Sequence, residues 1–271
     1  MRITRAIVLA AGLLAAAGSC LAQDNNGIDP EVLIERILAV DQQQKNLIND
    51  VVFDAEYVER EDKGDEGFKE KVRLVKKIYI KYLEDTTLYH EEFLEYYKDG
   101  ELKSQKDLEK EAKDRREKKE KRKGRDVSYP ILKPFYPEQR QFYEIEYIGV
   151  AEDRIEGRVC HQFRVTAIEE SDELIDGDYY IEAESFHPVR VEFSPSKLVK
   201  KLMFRLKELN MSIVYGPTEE DFWVPRQFDV RGKGKAAFFF GVNFAGTEYY
   251  RNPVVNEGID DSVFEVNDED K

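Results

Sequence analysis

The stretch "DYYIEAESFHPVRVEFSPS", Asp178 to Ser196, holds two runs of alternating apolar and polar residues joined at a His-Pro pair. Tyr179, Ile181 and Ala183 fall on one side of the first run, and Val189, Val191 and Phe193 answer on the second, while Glu182, Glu184, Arg190 and Glu192 lie opposite. A period of two marks strands with one buried face, and His187-Pro188 supplies the turn, so the segment predicts an antiparallel hairpin. Its oily side faces either a packed core or a cavity kept open for an apolar ligand.

The same texture extends both ways along the chain. "LINDVVFDAEYVERED", "KEKVRLVKKIYIKYLED" and "TTLYHEEFLEYYKDGEL" predict a three-stranded meander. "RQFYEIEYIGVA", "RVCHQFRVTAI", "MSIVYG", "FWVPRQFDVRG" and "AAFFFGVNFAGTEYY" supply further strands, most of them ended by Gly, Pro or acidic turns. About ten strands without alternating helices indicate a mostly antiparallel α+β fold and exclude Rossmann-type and TIM-type chains. Phe238, Phe240, Val242 and Phe244 line one face of the closing strand.

Cover for that much oily surface is scarce in the sequence. "DPEVLIERILAVDQQQ" predicts an amphipathic helix, with Asp29 as cap, Pro30 in the first turn, and Leu33, Ile34, Ile37 and Leu38 on one face. Residues 104–126 begin with Ser104 and Asp107 in a capping pattern and carry charge pairs four apart. That stretch predicts a solvated helical excursion with only Leu108 and Ala112 apolar, unable to serve as cover. "YPILKPFYPEQ" reads as a rigid loop. "SKLVKKLMFRLKELN", 196–210, fits both helical and alternating spacing, and a short helix or loop leading into a strand at Met211 is the expectation.

The first 22 residues, with Arg2 and Arg5, the run "AIVLAAGLLAAAG" and then "SCLA", predict an export signal, leaving residues 23–271 as one domain. A cut after Ala22 gives an exported, periplasmic protein, and a cut before Cys20 gives one anchored to the outer membrane through a lipidated cysteine. With 56 acidic against 42 basic residues and a net charge of -14, nucleic acid is not an expected partner. The three histidines, His90, His161 and His187, stand at no metal-binding spacing, and neither a nucleophile elbow nor a phosphate or dinucleotide loop occurs. No catalytic residue, metal or cofactor is expected, and the protein reads as a non-enzyme.

The order of signal, helix and long hairpins, with "DGDYYIEAESFHPVRVEFSPS" as strand, turn and strand and "FWVPRQFDVRGKGKAAFFFGVNFAGTEYYRN" as a tryptophan-proline strand, glycine turn and closing strand, resembles the LolA/LolB-like periplasmic lipoprotein carriers and outer-membrane lipoprotein-sorting proteins. The resemblance implies a strongly curved, unclosed half β-barrel whose concave face is covered by helices and encloses a hydrophobic cavity for acyl chains. Cavity-lining residues would then be Tyr179, Ile181, Val189, Val191, Phe193, Phe238, Phe240 and Phe244. Leu198, Leu202, Phe204 and Leu206, beside Lys200 and Lys201, would form a cationic flap at its mouth. The implied function is lipoprotein sorting or lipid transfer. Its partners are lipid or lipoprotein acyl chains, transient membrane contact and, as a further candidate, envelope proteins. The alternative is a non-catalytic exported scaffold with a packed interior that engages a partner through residues 104–126.

Overall fold

The computed structural model describes residues 29–84, 86–120, 131–198, 200–201, 204–236 and 240–265, without the side chains of residues 119, 120, 200, 201, 204, 236 and 240. The expected export signal with Cys20, residues 121–126, Leu202 and Phe238 lie outside the described residues, as do the side chains of Lys200, Lys201, Phe204 and Phe240.

Among the described residues twelve strands form one antiparallel sheet: β1 (Asp50–Asp62), β2 (Phe68–Tyr82), β3 (Thr87–Lys98), β4 (Glu101–Leu102), β5 (Tyr143–Val150), β6 (Cys160–Ala167), β7 (Ile175–Glu182), β8 (Pro188–Pro195), β9 (Lys200–Lys201), β10 (Phe204–Pro217), β11 (Trp223–Ala236) and β12 (Phe240–Val255). Their order is β4-β3-β2-β1-β12-β11-β10-β8-β7-β6-β5, with β9 paired to β10. The first meander therefore joins the rest through β1 and the last strand, and the curved sheet stays unclosed. The expected hairpin is β7 and β8, with Tyr179 opposite Val191 and Gly177 opposite Phe193.

That hairpin is drawn tight at Gly177, where a Cβ would lie 2.6 Å from the Glu192 carbonyl oxygen. The clash is with backbone, which cannot swing aside. Gly177→Ala should accordingly cost about 1–3 kcal/mol, read as a lower urea midpoint with an unchanged slope.

Two helices lie on the concave face, one at each end of the sheet. In α1 (Pro30–Leu47) the Asp29 carboxylate accepts from the Glu31 N–H at 3.0 Å, and Leu33, Ile34 and Ile37 are buried. These three pack on Phe163, Val165, Tyr179, Ile181 and Val191 together with Ile131, Leu132 and Phe135. Gln44 fixes the far end of α1 by a two-point bond to the backbone of one residue of β11, donating to the Trp223 carbonyl at 2.6 Å and accepting from the Trp223 N–H at 2.9 Å.

The charged helix α2 (Gln105–Glu120) starts as expected, with the Ser104 hydroxyl accepting from the Asp107 N–H at 3.3 Å. It also corrects the expectation that it could not cover anything. Leu108 and Ala112 are buried, and Leu108 packs on Val72, Leu74 and Tyr96. The Arg115 guanidinium lies over the Tyr57 ring at 5.1 Å. Two apolar residues and an arginine stem suffice because the covered patch is small.

A second correction concerns residues 204–210. They are strand, paired with β11 from Phe204 opposite Ala236 onward, and β9 folds back on them through Lys201 opposite Phe204 and Lys200 opposite Arg205. Leu206 is buried while Arg205 and Lys207 are exposed, so alternation prevails over helical spacing.

Candidate functional site: the concave face between the two helices

Residues directly paired across an antiparallel ladder share a face. One such row crosses nearly the whole sheet: Phe163, Tyr179, Val191, Ile213, Phe228, Glu248, Tyr57, Leu74 and Tyr96. Phe163, Tyr179 and Val191 at one end are fully buried in the cluster that includes α1, and Leu74 and Tyr96 at the other are buried in the cluster that includes Leu108 of α2. Between them Ile213, Phe228 and Glu248 are only half-buried, as are the neighbouring Met211, Val230 and Tyr250. The middle of the concave face is thus an apolar strip that the two helices leave partly uncovered.

Besides Glu59, which lies near Arg115 of α2, three charged residues on this face stand between apolar or glycine neighbours on their own strands: Lys76 between Leu74 and Ile78, Glu91 between Tyr89 and Phe93, and Glu248 between Gly246 and Tyr250. They meet. The Lys76 side chain, 6% exposed, forms ion pairs with both Glu91 and Glu248, and its ammonium lies 5.9 Å from the centre of the Phe93 ring. The Tyr250 hydroxyl donates to the Glu248 carboxylate at 3.0 Å. Burial opposes the charge on Lys76, but Glu248 and Glu91 outweigh it and its pKa is raised. Burial and then the neighbouring carboxylates hold the Tyr250 and Tyr89 phenols well above their ordinary values. Both therefore remain protonated donors throughout the physiological range.

The rings of Tyr82 and Tyr215 border the same space. Burial raises both, with Tyr82 and Asp41 of α1 contributing at Tyr215 and the Lys45 ammonium of α1 opposing the rise at Tyr82. Tyr82 and Tyr89 are 44% and 40% exposed, yet burial dominates their titration.

Of the residues expected to line a cavity, Tyr179, Ile181, Val189 and Val191 have no exposed surface. Tyr179, Ile181 and Val191 belong to the core cluster that contains the buried side of α1 and Phe135, while Val189 clusters with Cys160 and Trp223. Phe193 is half-buried at the border, opposite Met211. Phe244 is half-buried on β12, with its ring where a Gly232 side chain would stand. Leu198 is half-buried and Leu206 buried at the β9–β10 hairpin, far along the strand from the charged triad. The triad itself was readable as charges on an otherwise apolar strand face. Recognising it needed the pairing of β2 with β3 and the position of β12, which no local pattern supplies.

The opposite face carries an open trough of about 770 Å³, lined by Arg60, Arg164, Asp178, Glu192, Asp229 and Thr247 among others. Its polar groups largely satisfy one another: Arg164 pairs with Asp178 at 3.1 Å, and Thr247 donates to Asp229 at 2.8 Å while accepting from Arg60 at 3.1 Å. Elsewhere, His187 stacks on Trp223 with ring centres 4.9 Å apart, and burial lowers its pKa to about 4, so it is neutral at physiological pH. Burial pushes the Cys160 thiol up to about 11, which leaves it a packing residue rather than a nucleophile. No helix among the described residues is long and apolar enough to cross a membrane.

No family model matches the chain, and no curated protein matches it. Solved structures do. A DUF1329 family protein from Desulfovibrio piger is 12% identical over 88% of this chain and 98% of its own, with a TM-score of 0.47. A putative outer membrane lipoprotein-sorting protein domain from Vibrio parahaemolyticus is 10% identical over 86% of this chain and 97% of its own, at 0.43. A LolA superfamily protein from Nitrosomonas europaea is 9% identical over 85% and 97%, at 0.32. These values mark a distant similarity to proteins that this chain spans almost from end to end.

Proposed function

We propose that this chain is a non-catalytic binding protein of the cell envelope that takes acyl chains of lipid or lipoprotein into the recess between α1 and α2, in lipoprotein sorting or lipid transfer. The observation supporting this reading is the half-buried strip of Met211, Ile213, Phe228, Val230 and Tyr250, flanked on both sides by fully packed core. A protein that needed only stability would bury that surface, since apolar area removed from water stabilises by about 25 cal/mol per Å². Left partly open, it gives the same gain to an apolar guest.

The test is a homologous series of straight-chain alcohols, octanol to tetradecanol, added to residues 23–271 and followed by calorimetry and native mass spectrometry. Affinity should rise about fourfold per methylene. Met211→Glu places a charge on the strip and should weaken binding about tenfold or more. Ser212→Glu, one residue along on the opposite face, should leave it unchanged. Absence of uptake, or equal effects of the two variants, would sink the proposal.

A further inference from the structure

Resting on that reading of the recess, we infer that Lys76, Glu91 and Glu248 set the charge of the head group it accepts, and that the fitting guest is a single-chain amphiphile whose polar end is a primary ammonium. Two carboxylates around one ammonium leave the floor with one net negative charge. The charge is held where water is scarce, since the Lys76 and Glu248 side chains are 6% and 14% exposed. In such surroundings a unit charge acts far more strongly than in bulk water. A guest carboxylate or phosphate at this floor would meet net repulsion and a partly desolvated environment at once. A guest ammonium would meet two carboxylates beside the ring of Phe93. The Lys76 ammonium already near Phe93 shows that these surroundings accommodate a cation. The donors and acceptors also stand at the edge of the apolar strip, because Tyr250 and Glu248 share a face of β12 with Gly246 and adjoin Phe228 through the β11–β12 ladder. A chain lying along Met211, Val230 and Phe228 therefore delivers its end to the triad.

The experiment compares dodecylamine, dodecanol and dodecanoate at neutral pH, below their micellar concentrations. Dodecylamine should bind about tenfold or more tighter than dodecanoate, with dodecanol between. Glu91→Gln with Glu248→Gln leaves the floor with one net positive charge and should reverse the order. Lys76→Met added to those two removes every charge and should bring the three probes to nearly equal affinity. The neutral triple variant decides the matter if the double variant does not fold. Equal binding of amine and carboxylate by the unaltered protein, or an amine preference that survives in the neutral variant, overturns the inference while the chain-length dependence stands. If none of the three probes binds, the recess itself is refuted and the inference falls with it.

Discussion

Lys76→Met is expected to cost about 3–5 kcal/mol of folding stability, because it strands two carboxylates in a site arranged around a cation. The Lys76 side chain is 6% exposed, and its partners Glu91 and Glu248 are 21% and 14% exposed, so solvent does little to screen what remains. Methionine matches the stem in length and preserves packing, which isolates the electrostatic part. The pH dependence gives a second signature. Without the ammonium, two like charges face each other where water is scarce, so the penalty is largest where both carboxylates are ionised and shrinks in acid. In the unaltered protein the raised pKa of Lys76 gives a contribution that is also lost at the other extreme, as pH climbs through its folded pKa in strong alkali. Urea unfolding near neutrality and at about pH 4 should show the larger penalty near neutrality. A penalty under about 1 kcal/mol, or one independent of pH, would mean that the triad is a surface ion pair in energetic terms.

Phe135→Ala should be comparably severe, at about 3–5 kcal/mol, with a fall in melting temperature of about 10 °C. Phe135 has no exposed surface, and its ring meets Phe163 and Tyr179 edge-on at centre distances of 5.6 and 5.0 Å. Its neighbours are held by the sheet and cannot collapse into the space. The loss should appear as a lower midpoint in thermal and urea unfolding alike. An effect below about 1 kcal/mol would show that the proline-bearing loop is dispensable to the core.

The hairpin of β7 and β8 was legible because alternation and a His-Pro turn both act within a few residues. The same is true of α1, whose cap, first-turn proline and apolar face all lie within one stretch. What escaped the sequence depended on partners remote along the chain. Phe135 ends a 3-10 helix, Lys133–Phe135, in a stretch that read as a rigid loop, and its burial follows from Phe163 and Tyr179 on other elements. Leu108 and Ala112 looked too few to dock a helix, because the size of the patch awaiting them on β2 and β3 is a tertiary fact. The segment 204–210 was locally ambiguous, and β11 resolved it. At Gly234 a side chain would lie 2.8 Å from the Arg205 carbonyl, so the missing Cβ allows the two strands to pair there. The charged triad gave a partial signal, since a lysine between Leu74 and Ile78 breaks a strand pattern that otherwise buries.

The open ends of the sheet bear on how copies of this protein behave toward one another. At one end β5 is the terminal strand, and at the other β3 is paired outward with β4 only at Tyr97 and Lys98. Among the described residues both edges lack a full-length partner strand, and two such edges on one molecule are in principle donor and acceptor for endless strand addition, copy to copy. Both edges carry exposed glutamates, Glu144 and Glu146 on β5 and Glu92 and Glu95 on β3, on a chain whose net charge is -14. Like charge thus guards both ends against polymerisation near neutrality.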